Sequence, residues 1–322
     1  MKPTRSICVL APVFYDTESF LILRDRIRSL VEGPLEGYAL RFVIVDDSAG
    51  VDPHIESLRA IDDVQILQPP FNLGHQRAIV FGLRQLTTRA TGDDIVVTMD
   101  ADGEDKPEDV PRLLRAIESD EGRRSIALAV RTKRQETFAF KLAYAVFRAL
   151  FRVLTGEVVR TGNFAAWHTT LIRPVIRHPY FDMAYASTLI SLKVPRVLIP
   201  CERGIRYAGH SRMGVGKLVA HGLGMLMPFT ERISVRALLI FSATIGTAAA
   251  ASLAVVWVRL FTDAAVPGWA TYTLLLLLLL SVVALGNFIV LFAVFAQTRA
   301  ISMANIHLTP DDKSRDPSRY AG

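Results

Sequence analysis

Positions 237 to 258 form a run of 22 residues without a charged side chain, and a second uncharged stretch extends from Ala264 to Thr298. At about 1.5 Å of rise per residue the first would span roughly 33 Å as a helix, enough to cross the hydrocarbon core of a bilayer. The second is densest between Tyr272 and Phe295, where it contains the run LLLLLLL. Helices buried in soluble proteins rarely stay uncharged on every face for this length. Two transmembrane helices are therefore predicted, over 237–258 and 272–295, joined by a short loop into a hairpin. Arg232 and Arg236 precede the first, and Arg299, Lys313, Arg315 and Arg319 follow the second, whereas the connecting loop offers Arg259 offset by Asp263. The positive-inside bias expects both termini in the cytosol, with 213–236 as a juxtamembrane segment and 299–322 as a cytosolic tail. The expected location is the inner or plasma membrane.

Residues 1 to about 235 read differently. Short β-rich runs at 6–11, 40–46, 64–68, 94–99, 125–130 and 194–199 alternate with helical segments near 17–31, 52–61, 73–88 and 107–119. Alternation of this kind predicts an α/β fold, an open and mostly parallel sheet with helices on both faces. The opening MKPTRSICVLAPVF imitates a secretory leader, but Pro12 and Asp16 cut its apolar segment short and no small-residue cleavage site follows, so it reads as the first strand. Cys8 and Cys201 are the only cysteines, too few for a disulfide framework, and they suggest a reducing compartment. A formal charge of +6 suits nucleic acid, an anionic membrane or a phosphorylated ligand, and does not by itself choose among them.

In open parallel sheets, ligands bind at the carboxyl ends of the strands. Asp46 and Asp47 end the second strand, and Asp100, Asp102 and Glu104 follow the fourth, so both clusters are predicted at one edge. Clustered carboxylates repel unless a cation lies among them, and a hard ion such as Mg2+ or Mn2+ completes its shell with water and phosphate oxygens. A calcium loop fits poorly, because Asp105 occupies the position that needs glycine and Pro111 the closing acidic position. Asp105 instead reads as serving the helix start at Pro107. In NLGHQRAIVFGL the small residues Gly74, Ala78 and Gly82 share one helix face and are expected to pack against the sheet.

Four segments, LAPVFYDTE (Leu10 to Glu18), VIVDDS (Val43 to Ser48), FNLGHQRAIVFGL (Phe71 to Leu83) and MDADGEDKPEDVP (Met99 to Pro111), resemble successive signatures of family 2 glycosyltransferases. The likeness is to the polyprenyl-phosphate group, which includes dolichol-phosphate mannose synthases and bactoprenol glucosyltransferases. It continues through RTGNFAAW (Arg160 to Trp167) and RYAGHSRMG (Arg206 to Gly214) to the two apolar spans. The resemblance implies a GT-A type sheet over 1–212, with nucleotide-binding positions at Pro12, Tyr15, Glu18, Asp46, Asp47 and Asp100. Asp100, Asp102 and Glu104 match a D-x-D-x-Q metal motif, in which Glu104 replaces glutamine and adds a carboxylate. Asp102 and Asn163 take the catalytic positions. Several relatives carry aspartate as a base at the place of Asn163, in a G-[DSN]-F motif, and an amide cannot accept a proton at neutral pH. A phosphate acceptor needs no base, since its second pKa is about 6, so Asn163 favours that acceptor and serves as an orienting donor.

Cations are expected where such an acceptor meets the membrane. Lys141, Arg148 and Arg152 share one face of an otherwise apolar segment, 138–154, the pattern of a helix lying at headgroup level. An ordinary amphipathic helix against the domain core is the alternative. The resemblance makes the loop with Arg206, His210, Ser211 and Arg212 a phosphate contact, and Arg131 a weaker candidate. His75, His168 and His221 read as structural. The expected activity is a metal-dependent, inverting transfer of one sugar from a UDP- or GDP-linked donor to a polyprenyl phosphate, with no nucleic-acid partner and with room for homo-oligomers. A processive polysaccharide synthase would need a Q-x-x-R-W box, which is lacking, and more than two spans. A non-catalytic membrane scaffold is opposed by the intact Asp100 and Asp102.

Overall fold

A computed structural model describes residues 5–89, 95–118, 125–131, 138–158, 161–208, 215–262 and 266–304. The chain divides into two compact units, Met1–Pro228 and Phe229–Gly322. In the first, β1 (Arg5–Val13), α1 (Thr17–Arg28), β2 (Tyr38–Asp46), a short 3-10 turn (Ile55–Ala60) and β3 (Val64–Leu67) lead to α2 (His75–Arg89). β4 (Ile95–Thr98), α3 (Val110–Glu118), β5 (Ile126–Arg131) and α4 (Phe138–Thr155) follow. β6 (Thr161–His168), α5 (Thr169–Val175), α6 (Tyr185–Ser191), β7 (Arg196–Cys201) and α7 (Val215–Leu226) complete the unit.

The seven strands form one sheet in the order β3-β2-β1-β4-β6-β5-β7. All neighbours run parallel except β6, which is antiparallel to both β4 and β5. The central strands β1 and β4, with the ends of β2 and the start of β5, are buried on both faces, so their sequences read as continuous apolar runs. Ile7, Val9 and Ala11 of β1 point to a core shared with Phe20, Leu23 and Ile27 of α1 and Leu113, Leu114 and Ile117 of α3. Cys8 and Leu10 point the other way, onto Ala78, Ile79, Leu83 and Leu86 of α2 and Tyr185 and Leu189 of α6. The mostly parallel sheet with helices on both faces is as anticipated. β6 is not among the anticipated strands, nor are α5 and α6 among the anticipated helices.

Small residues on α2 have two uses. Ala78 is fully buried, and a Cβ on Gly82 would meet Leu10 Cδ1 at 2.5 Å and Val45 Cγ2 at 2.9 Å, so this face does lie close against β1 and β2. Gly74 differs: nothing lies within 4 Å of its missing Cβ, and its φ of +77° shows that it turns the chain into α2.

α4 buries Phe151 and packs on α7, where a Cβ on Gly222 would meet the Phe147 ring at 3.1 Å. The opposite side of α4 exposes Val146, Leu150 and Val153 beside Arg148 and Arg152, and α7 exposes Val219 and Leu223. The second unit is a helical hairpin. α8 (Thr230–Phe261) and α9 (Trp269–Ala304) pack on each other, and both are long and apolar enough to cross a membrane. They extend beyond 237–258 and 272–295 because no Pro or Gly interrupts either helix at the ends of its apolar run.

Gly82→Val should overpack the α2–sheet contact and cost about 1–3 kcal/mol. Thermal unfolding of the detergent-solubilised protein measures this, and an unchanged midpoint would contradict the packing described.

Candidate active site at the carboxyl edge of the sheet

The ends of β1, β2, β4, β5 and β7 open onto one edge. Because β6 runs antiparallel, Asn163 near its start joins them there. Thr98 Oγ, at the end of β4, donates to the Asn163 carbonyl at 2.6 Å and fixes the backbone at this point.

The loop after β4 is folded by its own carboxylates. Asp105 Oδ2 accepts from the Asp100 backbone N–H at 3.0 Å, and Asp102 Oδ1 accepts from that of Glu104 at 2.9 Å. A second segment, 202–207 after β7, closes over this loop. The Gly204 N–H donates to the Glu104 carbonyl at 2.8 Å and the Tyr207 N–H to the Asp102 carbonyl at 2.9 Å. Only glycines allow this approach: a Cβ on Gly204 would collide with the Gly103 carbonyl, and one on Gly103 would meet the Tyr207 ring at 2.8 Å. Gly103 also has a φ of +89°, a conformation that other residues seldom adopt.

Arginines from the end of β5 and from the segment after β7 face the acids. Glu104 Oε1 accepts from Arg203 Nη2 at 2.6 Å and Arg206 Nε at 2.9 Å, while its Oε2 lies 3.8 Å from Arg131 Nη1. Burial works against the Glu104 charge, but the two guanidinium bonds outweigh it and hold this carboxyl below the ordinary range. Arg206 Nη2 also reaches Asp102 Oδ2 at 2.7 Å. Arg131 lies 3.3 Å from Asp105 and 3.9 Å from Asp100. No three His, Cys, Asp or Glu side chains converge on a metal position among the described residues. The expected third carboxylate, Glu104, is instead turned to the arginines.

Asp100 and Asp102 have different surroundings. Burial opposes the Asp100 charge, yet His75 Nε2 at 3.0 Å, Arg131 and the Asn163 amide keep it well below the carboxylate range. Burial and the neighbouring Asp100 push Asp102 up to about 6. His75 in turn feels crowding that disfavours its charge, but Asp100 outweighs this and raises its pKa. Asn163 Nδ2 stands 2.7 Å from His75 Nε2 and 3.5 Å from Asp100 Oδ1. His75 is therefore part of the site and not only of the fold.

The nucleotide-binding candidates divide into two groups. Tyr15 follows β1 with a φ of +56°, is exposed, and packs edge-on against Phe14. Glu18 lies on the exposed side of the first turn of α1, and Pro12 is buried in β1. Asp46 is a correction: it is 1% exposed, and its carboxylate accepts from the Ser48 N–H, the Ser48 hydroxyl and the Gly50 N–H. It holds the turn after β2 and presents no free edge to a ligand. Asp47 Oδ1 accepts from the Leu73 N–H at 2.7 Å, which ties the start of α2 to the end of β2, and burial raises its pKa.

Arg131 and Arg206 lie at the site, and Arg203 joins them although sequence reasoning missed it. Its signal was its place three residues before Arg206 in a loop already read as basic. The Lys141 side chain and all of His210, Ser211 and Arg212 fall outside the described residues. Asp105 is a further correction, because its carboxylate faces back to Asp100 and Arg131, while the turn at Pro107–Asp109 starts from Lys106 without a side-chain cap.

Burial, then the Asp100 charge, pushes Asp105 up to about 7, against an ordinary 3.8. The folded protein holds this proton where the unfolded chain has released it. The resulting stability is present below about pH 4 and is lost as pH rises toward 7, by at most about 1.4 kcal/mol per unit for one proton. Unfolding midpoints in EDTA should therefore fall between pH 5 and 7.5, and Asp105→Asn should flatten that dependence.

Known proteins resemble this chain in sequence and fold. An undecaprenyl-phosphate 4-deoxy-4-formamido-L-arabinose transferase from Serratia proteamaculans is 27% identical over 162 residues, 49% of this chain and 46% of that protein. The chain thus matches about half the length of this relative. A crystal structure of glucosyl-3-phosphoglycerate synthase from Mycobacterium tuberculosis, solved with Mn2+, UDP-glucose and phosphoglyceric acid, is 19% identical with a TM-score of 0.50. The superposition covers 72% of this chain and 81% of that one, and identity at this level establishes a shared fold and nothing more. The sequence model of Glycosyl transferase family 2 matches residues 12–176, just over half of the chain and all the strand ends from β1 to β6, so the protein belongs to glycosyltransferase family 2.

Proposed function

We propose that the protein moves a single sugar from a nucleoside diphosphate sugar, UDP- or GDP-linked, to a polyprenyl phosphate at the cytosolic face of a membrane crossed by α8 and α9. The observation that carries this reading is the charge arrangement at the sheet edge. The carboxylates of Asp100 and Asp102 lie beside the guanidiniums of Arg131 and Arg206, an arrangement for two phosphorylated ligands that meet. The Serratia relative is named for transfer to undecaprenyl phosphate, which supports a lipid phosphate acceptor. The synthase solved with Mn2+ and UDP-glucose supports a nucleoside diphosphate donor.

The donor set fits a hard divalent ion. Asp100 and Asp102 offer oxygen ligands, and the pKa of Asp102, raised by burial and by Asp100, reflects negative charge that its surroundings only partly offset. Mg2+ or Mn2+ held by these two residues would neutralise charge developing on the departing diphosphate. The protein's own groups account for the rest. Arg206, already 2.7 Å from Asp102, and Arg131 are suited to phosphate oxygens by their forked donors. The acceptor oxygen is anionic at pH 7 and attacks the anomeric carbon directly. Its bond to that carbon forms as the bond to the diphosphate oxygen breaks on the opposite side, so the configuration inverts. Asn163 orients this oxygen and removes no proton.

Residues 1–212 form the catalytic part in this reading, 213–236 lead to the membrane, and 299–322 return to the cytosol. The exposed Val146, Leu150 and Val153 beside Arg148 and Arg152 on α4 support a face that lies among headgroups.

Purified protein with Mn2+, a panel of UDP- and GDP-sugars, and undecaprenyl or dolichyl phosphate should yield a lipid-linked monosaccharide. Asp102→Ala should lower kcat by roughly a hundredfold or more, as loss of a charge-stabilising group at the reacting centre does. Glu104→Gln should leave Mn2+ affinity within a few-fold, because Glu104 is turned to the arginines. Polymeric product, or no transfer from any donor, overturns the reading.

A further inference from the structure

Gln76, the second residue of α2, is oriented before any ligand arrives. Its Oε1 accepts from the backbone N–H groups of Tyr185 at 3.0 Å and Ala186 at 3.4 Å, in the first turn of α6. A carboxamide has one oxygen, so its NH2 must point the other way. There Nε2 donates to Asn163 Oδ1 at 2.6 Å. The same constraint then passes to Asn163. With Oδ1 committed to Gln76 and the backbone carbonyl committed to Thr98, the side chain can offer the cleft only its NH2, beside His75 and Asp100.

We propose that Gln76 is a positioning residue that keeps Asn163 facing the reacting groups as a hydrogen-bond donor, and thereby commits the site to an anionic acceptor oxygen. The inference rests on the transfer to a lipid phosphate described above. A donor amide stabilises an oxygen that is already negative and cannot withdraw a proton from an alcohol. The orientation comes from backbone N–H groups in another helix, so neither amide can turn over alone. Turning Gln76 would set its NH2 against two N–H donors, and turning Asn163 would set two NH2 groups face to face.

Gln76→Glu separates positioning from packing. The shape is unchanged and the carboxylate still accepts from Tyr185 and Ala186, so the melting temperature should hold. Toward Asn163, however, it offers only an acceptor, and the Asn163 amide turns its oxygen to the cleft. With undecaprenyl phosphate as acceptor, kcat should fall roughly ten- to a hundredfold, the worth of one hydrogen bond to a charged group, while the donor KM moves less than about twofold. In an Asn163→Ala background the same substitution should cost nothing further, since its effect passes through Asn163. Asn163→Asp provides a second variant that leaves Gln76 in place: Gln76 still holds one oxygen, the other faces Asp100, and kcat should fall comparably. Wild-type kcat in Gln76→Glu, losses that multiply in the double variant, or full activity in Asn163→Asp each overturn the inference. Wild-type protein that transfers no sugar to lipid phosphate overturns the parent reading and this one together, whereas normal wild-type transfer with an indifferent Gln76→Glu overturns this one alone.

Discussion

Four carboxylates fall within six positions after β4, at Asp100, Asp102, Glu104 and Asp105, and such a group cannot stay ionised at a partly buried edge without nearby cations. The fold supplies them from far away in sequence. Arg131 arrives at the end of β5, and Arg203 and Arg206 arrive beyond β7. This requirement governs much of the architecture around the site. The segment 202–207 must descend onto the acidic loop closely enough for backbone bonds from Gly204 and Tyr207, and the meeting of Gly103 with Gly204 leaves no room for a side chain at either position. Removing Arg131 or Arg206 would take the guanidinium from Asp105 or Asp102, and a buried charge left without its partner costs more than the pair contributes when intact.

The same neighbourhood gives chemically identical residues different characters. Asp100 is held ionised by His75, Arg131 and Asn163. Asp102 and Asp105 are pushed up by burial and by Asp100 itself. Glu104, one turn of the loop away, is held down by two arginines. Carboxylates whose surroundings drive their pKa values apart are a recurrent means of dividing roles within a single site. Here Glu104 orders the basic loop and Asp105 folds the acidic one, while in the proposed reaction Asp100 and Asp102 would serve as the metal ligands.

The central parallel strands were legible because burial on both faces writes itself as uninterrupted runs such as SICVLA and DIVVTM. The apolar hairpin was legible for a similar reason. β6 was not, since TGNFAAWH begins with small and polar residues and carries neither a β-branched run nor a strict alternation. That omission hid how Asn163 reaches the edge, because only an antiparallel strand brings its starting residue beside the ends of the others. Glu104 and Asp105 were read by local spacing, whereas their arginine partners lie some 26 to 102 positions away. Asp46 was placed at the sheet edge by its strand and among the nucleotide contacts by the family resemblance, yet the next four residues close a turn around its carboxylate. Composition and period report which positions are buried, and they do not report which distant group a buried charge will find.

The strand order also sets a scale along the edge. β1, β4, β6 and β5 are consecutive in the sheet, and at about 4.8 Å per step three intervals span roughly 14 Å, a distance suited to an extended nucleotide sugar and the phosphate it meets. Tyr15 marks the β1 end, the Asp100–Asp102 loop follows at β4, Asn163 comes next at β6, and Arg131 with the 202–207 segment lies at β5 and β7. In the proposed reaction the base and ribose, the diphosphate, the reacting centre and the acceptor phosphate follow the same sequence. Inserting one antiparallel strand between β4 and β5 therefore does more than widen the sheet. It brings to the edge, beside Asp100 and His75, an amide whose direction is already decided by Gln76.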